Sequence, residues 1–299
     1  MEVLVLAIMR IDVLGVGFDD TTARQAVSFA CDTILRAKTD RAKTDDERAD
    51  EQRANEERAD IPRSSTDDGD GICDGFKAAM NTSQQEKAYI VTPNPEIVWS
   101  ARKNEALSNA LNGAGMVLAD GVGITIGARI LGTPLQGGRV PGIDFATALL
   151  AEMATFGGSV FLFGAKPGVA EEAGERLKVA HPGLVIAGTA DGYFTDDEPI
   201  INSINSAKPD AVFVCLGSPK QELWMAENLA RLDTKICAGL GGSLDVYAGA
   251  VKRAPVFFQK TGLEWFYRLV REPRRIKRIA KLPLFVFAVM GKRIRKKST

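Results

Sequence analysis

Histidine is almost absent from this chain, since His181 is the only one among 299 residues. A single imidazole excludes any metal or catalytic site that needs two of them. His181 stands in the sequence AHPG, which is typical of the end of a helix. The four cysteines show no CxxC or other metal-ligand spacing, so we expect ordinary thiols of a reducing compartment and no metal cofactor. They are Cys31, Cys73, Cys215 and Cys237.

Long apolar runs are absent as well. No segment reaches the roughly 20 consecutive apolar residues that a membrane-spanning helix needs. The first residues, MEVLVLAIM, are apolar, but they lack a basic leader and a small-residue cleavage site. We therefore expect a first strand there, with Ile11–Val16 as its regular part, and no signal peptide.

The chain has no net charge, because 38 basic residues balance 38 acidic ones, but the charges are unevenly distributed. Residues 259–299 hold 13 basic and 2 acidic residues, a net charge of +11, and the remainder carries −11. A basic tail on a neutral chain predicts an anionic partner at that end.

The tail mixes aromatic and aliphatic residues with Arg and Lys, and its apolar run Leu282–Met290 is too short to cross a bilayer. This pattern favours helices that lie in an anionic membrane interface, with Trp265 and Tyr267 near the headgroups. A helical subdomain packed on the core is the second interpretation, and nucleic-acid binding is the third. Burial of the tail in a homo-oligomer also stays open.

Short apolar runs alternate with helical patterns, which predicts an α/β fold with a mostly parallel, Rossmann-like sheet. We assign residues 1–253 to this core and residues 254–299 to a C-terminal helical appendage. Besides Ile11–Val16, the strand candidates are Tyr89–Val91, Met116–Leu118, Val160–Phe163, Val185–Ala187, Ala211–Leu216 and Lys235–Ala238. The helix candidates are Thr22–Leu35, Pro95–Leu111, Gly121–Leu131, Gly142–Phe156, Pro167–Ala180, Asp196–Ser206 and Pro219–Ala230.

The segment Arg36–Gly71 departs from this alternation. It is nearly all charged or small, and it repeats RAKTD twice before DERAD and EERAD. Because it offers no apolar face to bury, we expect a solvated insertion, either disordered or a loose helix.

Ligands of open α/β sheets bind at the carboxyl ends of the strands, so the loops there hold the candidate site residues. Asn94 in TPNPE either caps the next helix or, with Thr92, presents polar groups to a sugar. Asp120 in ADGVG either caps a helix or acts as a general base beside glycines that let a substrate approach.

Three further loops are weaker signals. The GAKPG turn at Gly164–Gly168 has the free N–H groups of a helix start, which attract phosphate. Gly15 and Gly17 lack the third glycine of a dinucleotide fingerprint. In LGSPKQE, Ser218 and Gln221 have the spacing of a capping box. In GGSLD, Asp245 either caps a helix or binds a hydroxyl, and Arg253 beyond it suits a phosphate or a carboxylate.

Taken together, the motifs resemble those of the WecG/TagA/CpsF glycosyltransferases over nearly the whole chain apart from the charged insertion. They occur in the family's order, which makes the resemblance specific. They are IDVLGVGFDDTT, TPNPEIV, ADGVGI with GARILG, RVPGID, FLFGAKPGVAEEA, DGYFTDDE, LGSPKQELW and GGSLDVYAGAVKRAP.

The resemblance implies an inverting, metal-independent transfer of N-acetylmannosamine or a related hexose from a UDP-sugar. The implied acceptor is a sugar on a polyprenyl diphosphate, used for teichoic acid or another surface polysaccharide at the inner face of the cell membrane. The resemblance makes Asp120 the general base and Thr92 and Asn94 a polar pair at the sugar. Other implied residues are Arg139 for substrate placement, Tyr193, Gln221 and Asp245 at the nucleotide, and Arg268, Arg271 and Arg275 at the lipid diphosphate.

Two departures from the family pattern stand out: the long insertion Arg36–Gly71, and Ser243-Leu244 where a Phe often precedes the Asp. Two other functions remain open from the residues alone. One is a nucleotide-dependent oxidoreductase on the same kind of sheet, and the other is a non-catalytic protein that binds a membrane or nucleic acid.

Overall fold

The computed structural model describes residues 9–59, 87–271, 276 and 280–297. Its strands are β1 Arg10–Val13, β2 Val16–Asp19, β3 Ala88–Val91, β4 Met116–Val117, β5 Ser159–Gly164, β6 Val185–Ala190, β7 Ala211–Cys215 and β8 Ile236–Gly239. Strands β3 to β8 form one sheet in the order β4-β3-β8-β7-β5-β6, and every pairing in it is parallel. The predicted α/β class is confirmed.

Helices cover both faces of this sheet. They are α1 Ala23–Ala59, α2 Pro95–Ala101, α3 Glu105–Asn112, α4 Val122–Leu131, α5 Gly142–Thr155, α6 Val169–Ala180, α7 Glu198–Ala207, α8 Lys220–Asn228, α9 Ser243–Tyr247, α10 Val256–Lys260, α11 Glu264–Arg271 and α12 Lys281–Lys297, with a 3₁₀ turn at Leu229–Arg231. In β5, Phe161 and Phe163 pack into the core with α2, α3, α4, α7, α8 and α12, while Val160 and Leu162 face α1, α5, α6 and α9. The alternation follows from the two-residue period of a strand.

The predicted strand Ile11–Val16 is wrong as a single strand. Leu14 and Gly15 have φ of 58° and 94°, so they form a two-residue turn that folds β1 onto β2 as an antiparallel hairpin. Gly15 and Gly17 therefore belong to a hairpin and not to a strand-to-helix phosphate turn. The hairpin also covers the β4 edge of the six-stranded sheet, since Asp19 Oδ2 accepts a 2.7 Å hydrogen bond from the N–H of Val117.

Helix α1 begins as the sequence predicts but is much longer. The hydroxyl of Thr22 accepts from the N–H of Gln25, and the Gln25 side chain accepts from the N–H of Thr22, which is a capping box. The helix then continues to Ala59, so the first part of the charged insertion is helical, as one of our two alternatives had it. Its remainder, residues 60–71, lies outside the described residues. The described residues 35–59 of this helix belong to a second unit of the chain.

The predicted helix Pro95–Leu111 is in fact two helices. Helix α2 ends at Ala101, and α3 begins after Asn104, whose Oδ1 accepts from the N–H of Leu107 at 3.0 Å. An Asn side chain competes with backbone hydrogen bonding inside a helix, which explains why it starts a new one here.

The apolar run of the tail forms α12, which packs on α2 and α4. Phe285 and Val289 are fully buried in the core, and Arg293 donates to the carbonyl of Leu131 at 3.0 Å. On the other side of the same helix, Phe287 is 69% and Met290 is 47% exposed. Helix α12 thus has one apolar side that packs on the core and a second that is left exposed. Among the described helices, none is long and apolar enough to cross a membrane.

Candidate active site

Three loops meet at the carboxyl end of β3 and β4. The N–H of Asp120 donates to the carbonyl of Pro93 at 3.3 Å, and the N–H of Val140 donates to the carbonyl of Ala119 at 2.9 Å. These bonds place Asp120 between the turn that carries Asn94 and the segment that carries Arg139. Because the carboxyl ends of parallel strands share one edge, residues far apart in sequence converge there.

The structure gives different outcomes for the two predicted helix caps, Asn94 and Asp120. Asn94 does cap α2, since its Oδ1 accepts from the N–H of Ile97 at 3.0 Å. Asp120 does not cap α4: the N-cap is Gly121, with φ of 91°, and no side chain caps this helix. Asp120 is only partly buried. Its carboxylate therefore does not start the helix, and its role as a general base stays a prediction.

Thr92 and Gln221 both brace the end of β8. The buried hydroxyl of Thr92 donates to the carbonyl of Gly239 at 3.1 Å. Gln221 is 3% exposed; its Oε1 accepts from the N–H of Gly241 at 2.9 Å, and its Nε2 donates to Glu222 at 3.0 Å. The capping-box interpretation of Gln221 is wrong, because no side chain caps α8. Both buried side chains therefore hold the end of β8 and the loop after it by hydrogen bonds to the backbone.

Glu222 is a site candidate that the sequence analysis did not single out. Its side chain is 1% exposed, and Oε2 has no hydrogen-bond partner among the described residues. Burial raises the pKa of this carboxyl, although hydrogen bonds from Gln221 and Ser218 oppose the shift. The motif LGSPKQE did contain a signal for it, because helix initiation explains Ser218 and Pro219 but does not require an acid at position 222.

Arg139 and Arg253 lie near the same loops, and both contact the first residue of α11. Arg139 donates to the carbonyl of Gln259 at 2.7 Å and lies 3.7 Å from Glu264. Arg253 meets carboxylates, as one of its two interpretations had it: Asp144 at 2.6 Å and Glu264 at 3.6 Å. The sequence analysis missed Glu264, which has no distinctive motif around it.

Asp245 and Tyr193 follow different strands of the sheet, β8 near its centre and β6 at its edge. Asp245 lies in the first turn of α9, next to the glycine loop after β8, and it does not cap that helix. Tyr193 follows β6 at the edge of the sheet, but its loop folds toward the start of α8, where Lys220 donates to the carbonyl of Gly192 at 3.2 Å. Its ring is 70% exposed, and its N–H donates to Asp191 at 2.7 Å. The structure gathers Thr92, Asn94, Asp120, Gln221 and Asp245 around β3, β4 and β8, and the role of Tyr193 at the nucleotide stays a prediction.

The comparisons with known proteins identify the family. Residues 68–299 match the model of the glycosyl transferase WecG/TagA/CpsF family. The chain belongs to this family. An N-acetylglucosaminyldiphosphoundecaprenol N-acetyl-beta-D-mannosaminyltransferase of Bacillus spizizenii is 38% identical over 232 residues, which cover 77% of this chain and 90% of the relative. Enzymes of the same name from Staphylococcus aureus (34% identical, covering 73% and 85%) and Bacillus subtilis (36%, covering 72% and 84%) are also similar.

The predicted lipid-diphosphate residues of this WecG/TagA/CpsF member lie in or beyond α11. Arg268 and Arg271 belong to α11, and Arg271 places its guanidinium 5.6 Å from the ring centre of Tyr267. Arg275 lies outside the described residues. Their role at a lipid diphosphate stays a prediction.

A cavity of about 310 Å³ opens beside α2 and α3 in this glycosyltransferase. That volume is at the small end of ligand pockets in general. None of the predicted site residues lines it, but Ser218, which hydrogen-bonds Glu222, does. Its lining residues are Glu96, Ile97, Ser100, Asn104, Leu107, Ser218, Pro219 and Lys281.

The described cysteines of this family member are buried and have raised pKa values. Cys31, Cys215 and Cys237 are free and buried, and burial raises the pKa of Cys31 to about 11 and those of the other two to about 12. A thiol with so high a pKa is a poor nucleophile at neutral pH. Cys73 lies outside the described residues. His181 ends α6, as the sequence predicted.

Proposed function

We propose that this chain transfers N-acetylmannosamine, or a closely related hexose, from a UDP-sugar to an N-acetylglucosaminyl diphosphate carried on a polyprenol. The names of the relatives support this choice of acceptor and of transferred sugar. Within the chain, the proposal depends on the position of Asp120 in the loop after β4, where its N–H bonds to Pro93 beside Asn94 and the preceding Ala119 accepts from Val140 beside Arg139.

The proposed reaction is a single displacement with inversion. Asp120 takes the proton from an acceptor hydroxyl, whose oxygen bonds to the anomeric carbon of the donor sugar. The bond between that carbon and the UDP oxygen breaks, and UDP leaves with the electron pair. General-base assistance of this kind contributes roughly 10²–10⁴-fold to the rate.

The departing diphosphate needs positive charge near it. We propose that arginines and backbone N–H groups supply this charge without a metal ion. Arg139 and Arg253 are 22% and 25% exposed, so their charges are less screened than those of surface residues.

The acceptor is lipid-linked, so the enzyme must reach a membrane. We propose that α10, α11 and the outer side of α12 contact the anionic inner face of the cell membrane, as a peripheral protein of the cytoplasm. Their exposed apolar side chains support this, because helices that lie in a membrane interface insert such side chains beside their cations. We name this set the tail surface: Val256, Phe257, Trp265, Phe266, Val270, Phe287, Met290 and Ile294.

The test is a transfer assay with purified protein, UDP-N-acetylmannosamine and a soluble N-acetylglucosaminyl diphospholipid analogue, with and without a chelator. Asp120→Asn should lower kcat by roughly 10²–10⁴-fold, because the amide cannot accept the proton. Asp196→Asn is the matched control, since its Oδ1 accepts from the N–H of Glu198 in an exposed turn and the amide oxygen can do the same. Near-normal turnover by a folded Asp120→Asn would remove Asp120 from the reaction.

A further inference from the structure

Glu264 reaches from the start of α11 between two arginines of the core. Its Oε2 lies 3.7 Å from Nη1 of Arg139, and its Oε1 lies 3.6 Å from Nε of Arg253. Its side chain is 17% exposed, so water screens these charges only in part. Both separations exceed hydrogen-bond length, so the carboxylate neutralises the arginines without saturating their donors.

Arg253 keeps unused donors in this arrangement. Its Nη1 pairs with Asp144 at 2.6 Å, but Nε and Nη2 are buried and have no hydrogen-bond acceptor among the described residues. A buried donor without an acceptor destabilises the fold, and a charged donor does so more strongly than a neutral one. Such groups are rare in folded proteins, and charged N–H donors of this kind are suited to bind an anion.

The place of the two arginines indicates which anion. Arg139 directly precedes Val140, whose N–H bonds to the carbonyl of Ala119, so Arg139 is next to the Asp120 loop, and Glu264 links it to Arg253. A phosphate group presents three oxygens around one centre, whereas a carboxylate presents two in a plane. Phosphate oxygens therefore reach donors on two guanidinium groups at once, and arginine suits them through its fixed fork of N–H groups.

We propose that Glu264 occupies an anion site formed by Arg139 and Arg253, and that a diphosphate group displaces it and releases the start of α11. This inference rests on the proposed function, since it assigns the diphosphate of one of the two substrates to this site. Glu264 and the diphosphate compete for the same two cations. Occupation of the site is thereby coupled to the position of α11, which belongs to the proposed membrane-contacting tail.

Binding of inorganic pyrophosphate to the full chain, measured by calorimetry, tests the competition. Glu264→Gln keeps the size of the side chain and removes its charge, so we expect binding to tighten on the order of ten-fold, within the usual 5–150-fold range of coupling between sites. Arg253→Met keeps the apolar stem and should weaken binding by a similar factor. Glu198→Gln, which removes an exposed ion pair with Arg231, is the matched control and should change nothing.

Movement of α11 has its own signal, because Trp265 follows Glu264 directly. Pyrophosphate should change the tryptophan fluorescence of the wild-type protein, and Trp265→Phe should abolish the change although Trp99 and Trp224 remain. Repeating the titration with UDP and with geranyl diphosphate distinguishes the donor from the lipid acceptor as the source of the diphosphate.

Unchanged pyrophosphate affinity in a folded Glu264→Gln would overturn the inference, and this variant decides even if Arg253→Met does not fold. Loss of sugar transfer alone would not overturn it. Conversely, a wild-type protein that binds pyrophosphate as expected but transfers no sugar would refute the proposed function and leave the anion site standing.

Discussion

The side-chain oxygen of Gln221 accepts a 2.9 Å hydrogen bond from the backbone N–H of Gly241. This bond ties the first turn of α8 to the glycine loop after β8, twenty residues further along the chain. Gly239, two residues earlier, accepts from Thr92, so the same loop is held from β3 as well. A glycine loop cannot hold its own shape, and here two buried polar side chains hold it.

Removing the Gln221 amide should therefore loosen the loop. Gln221→Ala leaves the N–H of Gly241 without its acceptor, so we expect a loss of about 1–3 kcal/mol of stability together with a raised donor KM. Urea unfolding and initial rates measure the two effects. Asn205→Ala is the control, because Asn205 Oδ1 accepts from the N–H of Asp233 well away from this loop. It should lower stability without raising KM; an equal KM effect in both variants would contradict a local role.

Glu222 should make stability depend on pH. Burial raises its pKa above 4.5 in the folded protein, so between 4.5 and the folded pKa the native state binds more protons than the unfolded state. Its contribution to stability is complete below pH 4.5 and is lost as pH rises through the folded pKa, by at most about 1.4 kcal/mol per pH unit. Glu222→Gln should flatten this part of the curve and be at least as stable as wild type at pH 7. Parallel curves for the two proteins would refute the assignment.

Gly123 should not tolerate a side chain. A Cβ there would lie 2.5 Å from Cγ of Pro95, in the contact that joins the start of α4 to the start of α2. We expect Gly123→Ala to cost about 1–3 kcal/mol, as overpacking usually does, and to lower activity because Asp120 lies three residues before it. Gly291→Ala in α12 is the matched control: a Cβ there meets nothing within 4 Å, and it should raise stability by about 0.5–1 kcal/mol. Thermal unfolding of both variants checks the contrast.

Membrane contact should depend on the tail surface. Phe257 and Phe287 are 66% and 69% exposed, so replacing both with Ser should leave the fold intact and lower partitioning into phosphatidylglycerol vesicles at least ten-fold, at about 1.5–3 kcal/mol for each fully inserted side chain. Sedimentation at low and high salt measures it, and the +11 tail predicts weaker binding at high salt. Val179→Ser on α6, also highly exposed, should have no effect.

Point substitutions are a better test of the tail than truncation after Arg253. Truncation would remove Phe285 and Val289 from the core and uncover the surfaces of α2 and α4. A truncated chain that lost vesicle binding would therefore not distinguish a missing membrane contact from a damaged fold. Equal partitioning of the wild type and the double Ser variant would exclude the tail surface as the contact.

The sequence by itself determined the α/β class and the family, and it offered the helix cap as one of two roles for Asn94. These features are local, or they recur as motifs of fixed spacing, so neighbouring residues suffice to reveal them. The hairpin at Leu14 and Gly15 was missed because the apolar pattern of two short strands joined by a tight turn is the same as that of one longer strand.

Only the tertiary structure decided which partners the polar side chains bind. Ser218 and Gln221 have the spacing of a cap, yet Gln221 bonds to Gly241, a partner that only the parallel sheet brings near. Likewise, α12 has apolar residues on more than one side, and packing alone selected Phe285 for the core and left Phe287 exposed. Glu264 and Arg139 are more than a hundred residues apart in the sequence, and no local pattern encodes their contact.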